Sequence, residues 1–467
     1  MGSDATRAAA LARAARRRAV SGLADRHGNA TSTGSRAALE ASENALWRML
    51  SFYGTPLEDL DAAIAADPAW LLPRLMKAGF LLNLTEPSLV AEAIALLDAA
   101  EPLAANANER ERGHLAALRR VQCGDWQGAA DDWGALVRAE PRDVLALQWA
   151  LLFDFYRGDA EALRERVAAV LPAWSEADPL YPYVLGHHSF GLEESGRYAE
   201  AEAVGRRAVA GTARVPWAIH AVAHVMEMQG RHAEGAVWMA AWRPFWGVGN
   251  GFAGHLGWHE ALFALEARDP AKALEVFDLY LNAEANEITL QRVDAASLLW
   301  RLALHGAEVG DRWQRLLAGW ALADPAASGI SAFNDVHALI ALLGAGERAA
   351  ATRWMGTSLG NAARGGAWNR EVSRIVAAPL MQGLVAFADG RFADAVRLLQ
   401  PLRGTAGARL GGSHAQRDVI DQTLLAAAAR GGGAAAGRAL LAERQRTRAR
   451  TPLTDWWAEA LDARRAP

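Results

Sequence analysis

Through most of this chain apolar residues recur every three or four positions, as in Leu145, Trp149, Leu152 and Tyr156, which is the spacing of one face of an α-helix. β-branched runs are short, and the helix formers Ala, Leu, Arg and Glu dominate. The pattern predicts an all-α fold. Breakers interrupt it at regular intervals. Gly-Asp-Trp begins at Gly124, Gly-Asp at Gly158, Gly-Arg-Tyr at Gly196, Gly-Arg-His at Gly230 and Arg-Asp-Pro at Arg268, with separations of 34, 38, 34 and 38 residues; Gly-Arg-Phe follows later at Gly390. Five positions after most of these breakers stands a small residue: Ala129, Ala201, Gly235, Ala273 or Ala395.

That phase is the signature of the tetratricopeptide repeat, a helix-turn-helix unit of about 34 residues. The glycine serves the turn, and the small residue lets the two helices approach closely. The best single unit runs from Arg110 to Asp143 and carries Gly124, Trp126, Ala129 and Pro141 in phase, with Pro141 ending the second helix. The expected architecture is a tetratricopeptide-like α-solenoid, a right-handed superhelix over residues 39–467 with histidine-rich central repeats at about 182–300. Residues 1–38 precede it as an arginine-rich helix and a polar loop. Arg243 to Gly254 (RPFWGVGNGFAG) breaks the rhythm and, with Trp242, Phe245, Trp246 and Phe252, reads as a loop packing over something. Asn361 to Trp368 and Arg403 to Ser413 read as glycine-rich insertions, either on a binding face or as surface loops.

Seven of the twelve histidines lie between His187 and His259, and two pairs have i,i+4 spacing: His220/His224 and His255/His259. Such spacing puts both rings on one helix face. Counted from the turn glycines, both pairs sit on first helices of adjacent units and face the concave side, so the four imidazoles are expected to converge, with His188 near enough to join. Four nitrogen ligands suit a divalent transition metal such as zinc, with Glu227, Glu260 or Asp294 supplying a carboxylate; no HExxH sequence is present. The same imidazoles also suit metal-free acid–base chemistry or a purely structural role. The expected catalytic set is His188, His224, His259, Asp294, Asp335 and His337, and the expected metal set is His220, His224, His255 and His259. Trp217, Glu227, Trp246, Trp258, Asn334, His414 and Asp418 are the expected substrate contacts. FNDVH and SHAQRD stand at helix starts, where Asn334 and Ser413 are natural caps.

Charge and cysteine content narrow the classes. With 49 Lys plus Arg against 53 Asp plus Glu in 467 residues, the basic footprint of a nucleic-acid binder is missing. The single Cys123 allows no intramolecular disulfide and suits the cytoplasm. No uninterrupted apolar run approaches the roughly 20 residues of a membrane span, and the N-terminus lacks the apolar segment and cleavage site of a secretory signal. GVGNG at Gly247 follows no strand, so it does not read as a dinucleotide loop.

GHHSFGLEESGRYAEAE, HAVAHVMEMQGRHAEG, GHLGWHEALFALE, DAASLLWRL, FNDVH and GSHAQRDV occur in this order, and together they resemble the tetratricopeptide repeat protein 38 family from about Ala45 onward, most densely over His187 to Leu302. The resemblance implies a helical-repeat fold and brings no secure activity. It does imply that His188, His220, His224, His255, His259, Asp294, Asn334, Asp335, His337, His414 and Asp418 are motif residues, which a generic peptide scaffold would not carry. The expected concave positions hold His114, Leu118, Gly186, Phe190, His220, His224, Trp258 and Leu262 rather than the Lys, Arg and Asn of a peptide-carboxylate clamp. The expectation is therefore a histidine-lined cavity that binds, and acts on, a small molecule; the competing expectation is a scaffold gripping a peptide, with structural histidines.

Overall fold

Helices that are apolar all round must be buried, whereas those with a single apolar stripe can face water; the chain alternates the two kinds. In the computed structural model, which describes residues 22–282, 287–320, 322, 324 and 327–463, no strand occurs among the described residues. Helix-turn-helix hairpins follow one another: α1/α2 (Arg36–Ser51, Leu57–Ala66), α3/α4 (Leu72–Asn83, Pro87–Ala100), α5/α6 (Glu109–Gln122, Trp126–Ala139), α7/α8 (Val144–Tyr156, Ala160–Val170), α9/α10 (Tyr181–Glu194, Tyr198–Gly211), α11/α12 (Pro216–Met228, His232–Trp246) and α13/α14 (Ala253–Glu266, Pro270–Tyr280). Then come α15/α16 (Thr289–Leu304, Arg312–Ala318), α17/α18 (Ala332–Gly344, Arg348–Arg364), α19/α20 (Ala367–Ala388, Phe392–Leu399), α21/α22 (His414–Ala427, Ala434–Thr447) and α23 (Pro452–Asp462).

First helices form the interior. Every residue of α11, PWAIHAVAHVMEM, is buried, and α7, α9, α13, α15 and α17 are buried along nearly their whole length. Second helices such as α10 and α14 bury only a stripe that includes Ala201 and Ala273. First helices pack on one another in the order α9, α11, α13, α15, α17, and α21 packs against both α11 and α15.

The turns behave as the breaker pattern predicts. Gly124, Gly158, Gly196, Gly230 and Gly390 all take positive φ, and Arg268 adopts the same left-handed conformation at φ 61°. The aspartates of the Gly-Asp turns and of the Arg-Asp turn then cap the following helix: Asp125, Asp159 and Asp269 each accept a hydrogen bond from a backbone N–H in the first turn. Some turns also meet a second layer of the fold. A Cβ on Gly158 would lie 1.8 Å from the Ala408 carbonyl oxygen, whereas one on Gly196 would meet nothing within 4 Å.

Several expectations need correction. The segment Asn361–Trp368 is not a loop: α18 runs to Arg364 and α19 starts at Ala367. Helix α12 continues through Pro244 to Trp246, so the loop there is short. Ser331, rather than Asn334, caps α17, while Ser413 caps α21 as expected. The arginine-rich N-terminal segment lies outside the described residues up to residue 21. Helix α19 is long and apolar enough by composition to cross a membrane, although it contains Arg370, Glu371 and Arg374; 56% of its most apolar stretch is buried in the fold.

The turn geometry predicts a contrast. Gly196→Ala should cost about 1–2 kcal/mol, the left-handed penalty alone, and Gly158→Ala should cost distinctly more because Ala408 must move as well. Urea unfolding of both variants measures the difference; equal midpoints would contradict the close approach.

Candidate functional site

The four paired imidazoles do converge. His220 and His224 on α11 and His255 and His259 on α13 each offer one nitrogen, and these atoms all lie within 4.8 Å of one another. His220 Nε2 is 2.9 Å from His224 Nε2 and 3.0 Å from His255 Nε2. The other ring nitrogens point outward to carboxylates. His255 Nδ1 lies 2.7 Å from Asp294 Oδ2, His259 Nδ1 lies 3.0 Å from Glu227 Oε2, and His224 Nδ1 lies 3.5 Å from Glu193 Oε2. His220 Nδ1, His224 Nδ1, His259 Nε2 and both Glu193 oxygens are buried without a hydrogen-bond partner, so the His224–Glu193 approach is a charge contact only.

Three helices and a helix cap hold the carboxylates. Asp294 comes from α15, and its second oxygen accepts from Gln416 Nε2 at 3.2 Å. Gln416 also accepts from Ser413 N–H at 3.0 Å in the capping box of α21, so one side chain both caps a helix and orients Asp294. Arg301, buried on α15, donates to the Ala415 and Gln416 carbonyls and fastens α21 to α15. Its guanidinium stands 5.4 Å from the ring of Trp258, which is stacked on His255.

Aromatic rings enclose the centre. Phe190 and Trp217 lie 5.2 Å from His220, and Phe252 lies 5.2 Å from His220 and 4.9 Å from His255. The loop carrying Phe252 is docked on the turn after α1: Phe252 stacks on Phe52, and Asn250 Nδ2 donates to the Ser51 carbonyl. The imidazoles are covered, with His255 the least so at 15% side-chain exposure.

Burial dominates the electrostatics. His220, His224 and His259 are held well below the ordinary histidine pKa, first by desolvation and then by neighbouring imidazoles. Burial also pushes Glu227 up to about 7 and Glu193 well above the carboxylate range, the latter helped by Glu194.

The remaining expected site residues are dispersed. His188 is half-buried and feels Glu200 rather than the cluster; its neighbour His187 packs 5.8 Å from Trp217. Trp246 is buried against Tyr280, and Glu260 pairs with Arg243. Asn334 donates to Thr85 Oγ1, His337 Nδ1 bonds the Phe333 carbonyl, and Asp335 accepts from Gly329 N–H at 3.0 Å. His414 lies 3.4 Å from Glu194, and Asp418 is paired with Arg444. Glu193 was missed from sequence altogether. No known family model matches the chain.

Asp335 sets a pH dependence away from the centre. Burial pushes its carboxyl up to about 7 from an unfolded value near 3.8. The native state thus binds the extra proton, and stability is full below the unfolded value and falls as pH rises through 7, by at most about 1.4 kcal/mol per pH unit. Asp335→Asn keeps an acceptor for Gly329 and should flatten this fall; urea midpoints at pH 5 and pH 8 measure it, and an unchanged slope would contradict the assignment.

Proposed function

We propose that this chain is a tetratricopeptide-like, right-handed helical-repeat protein, related to the tetratricopeptide repeat protein 38 family, whose four-imidazole centre holds a divalent transition metal of the zinc class. On this reading the metal serves the binding of, and action on, a small molecule in the cytoplasm. The observation that carries the reading is a count of lone pairs. An imidazole that donates from Nδ1 to a carboxylate turns an unprotonated Nε2 the other way. His255 and His259 are bonded in this way, and His224 faces Glu193. A proton on His220 Nε2 can point at only one of its two contacts, His224 or His255, and without that proton His220 and His255 meet lone pair to lone pair, so one short N–N contact is always left without a hydrogen bond. A cation among the nitrogens resolves this.

The donor set fits such an ion. Tetrahedral nitrogens about 2.0–2.1 Å from zinc lie roughly 3.3 Å apart; two of the six pairs here are 2.9 and 3.0 Å apart, and all six are within 4.8 Å. Carboxylates behind the imidazoles are the usual outer partners of metal-bound histidine; Asp294, Glu227 and Glu193 stand there, and a dication would draw the two glutamates, which burial holds toward their neutral form, back to carboxylates. The covering loop at Phe252 would govern access.

A second reading, a protein-interaction scaffold, draws support from a groove of about 630 Å³ on α12, lined by Trp238, Trp242 and Phe245, beside the exposed Val237 and Val248.

Elemental analysis separates the two. The metal reading expects about one transition-metal ion per chain, lost in His224→Ala and in His255→Gln and kept in His414→Ala, with helical circular dichroism unchanged. Wild-type protein that stays metal-free after incubation with zinc, cobalt, nickel, copper or ferrous iron would overturn it. Asp294→Asn, which leaves all four ligands in place, should weaken metal binding about 10–100-fold in a chelator competition.

A further inference from the structure

A second site opens behind the imidazole centre. A cleft of about 470 Å³ lies where α21, the end of α22, the 402–408 segment and the end of α11 meet. Tyr198, Met228, Leu402 and Ile420 give it apolar walls; Arg403, Arg417, Arg448 and His414 give it cations and an imidazole, and Asp418 and Asp421 give it anions. Its volume lies within the range of small-molecule sites.

Pairing the charges shows which of them are free to act. Arg403 is taken by Asp421 at 2.8 Å and Glu443 at 3.0 Å, and Arg444, just behind the wall, is taken by Asp418. Both wall carboxylates are thereby neutralised. Arg417 donates to the Gly412 carbonyl and reaches Glu194 at 3.3 Å. Arg448 has only a long ion pair: it donates to Met228 Sδ at 3.2 Å, and it stands 3.9 Å from Asp418, a carboxylate that Arg444 holds more closely. Its side chain is 14% exposed, so it has lost most of its water and gained a thioether, a weak acceptor. Burying an ionised group costs heavily unless it is paired. His414, 40% exposed, with its backbone N–H donating to Glu194 at 2.9 Å and its Nδ1 3.4 Å from the same carboxylate, adds a ring to the same wall.

We propose that this cleft binds a small molecule through an oxyanion, carboxylate or phosphate, which pairs with Arg448 and is flanked by Arg417 and His414. A guanidinium offers two parallel N–H donors to either group, and charge-assisted pairs are strongest where water is excluded. Met228, in the cleft wall, stands one turn beyond His224 on α11. The site stands whether or not that centre holds a metal.

Inorganic phosphate and, separately, acetate are the probes, titrated into the full chain at constant ionic strength and followed by calorimetry and thermal unfolding. The expected result is saturable binding by wild type and by the control Arg446→Met, at least tenfold weaker in Arg448→Met and retained in His224→Ala. Arg448→Lys, which keeps the charge and loses the fork, should fall between, and it keeps the test open should Arg448→Met fail to fold. The stronger probe identifies the oxyanion. No saturable binding of either probe, or equal binding by wild type and Arg448→Met, overturns the proposal. Binding lost in His224→Ala and kept in Arg448→Met would place the anion on the imidazole centre and overturn it as well.

Discussion

A polar side chain on a helix without a solvent face must find all its partners inside the protein, and the centre of this molecule is organised by that requirement. Helix α11 is buried at every position, yet it carries His220, His224 and Glu227. An unpaired buried polar group costs about 1–3 kcal/mol, and more when charged. Each outward imidazole nitrogen on α13 therefore meets a carboxylate from another helix, and Asp294 in turn meets Gln416. The geometry of five helices is tied to the orientation of four rings, and at His255 and His259 the carboxylate behind the ring sets the hydrogen-bond direction.

Much of the fold was legible because it is written in local terms. Turn glycines at positive φ, the aspartates that cap the next helix and the small residues beside them follow from backbone sterics and helix ends, which depend on a few neighbouring residues. The convergence of the two histidine pairs was legible for the same reason: spacing of four fixes a helix face, and the repeat phase sets adjacent first helices side by side. His188 shows the limit. It adjoins His187 in sequence, and a rotation of about 100° per helical residue turns it toward Glu200, leaving His187 near Trp217.

What could not be read is long-range pairing. Glu193 faces His224 from the neighbouring hairpin, and Gln416 meets Asp294 across 122 residues. Nothing in the local string marks Glu193, at the end of α9, as facing an imidazole on α11, and no periodicity announces the Gln416 contact, which arises where α21 folds back against α15. FNDVH looked equivalent to the histidine motifs as a string of polar residues at a helix start. Its side chains instead satisfy local and interlayer needs: Asn334 reaches Thr85, Asp335 receives Gly329 N–H, and His337 bonds a carbonyl one turn back.

The return of α21 also bears on how the two proposed sites relate. Its first turn carries Gln416, which holds Asp294 behind the imidazoles, and His414 and Arg417, which line the cleft. Arg301 ties that turn to α15 through two carbonyls. A shift of this turn would therefore move the carboxylate behind His255 and the cationic wall of the cleft together. Interiors packed to near-crystalline density transmit such displacements rather than absorb them. On the readings proposed here, an anion drawn between Arg448 and Arg417 would act on the same turn that orients Asp294, and the centre and the cleft would be coupled mechanically through α21 with no need for the ligand to touch an imidazole.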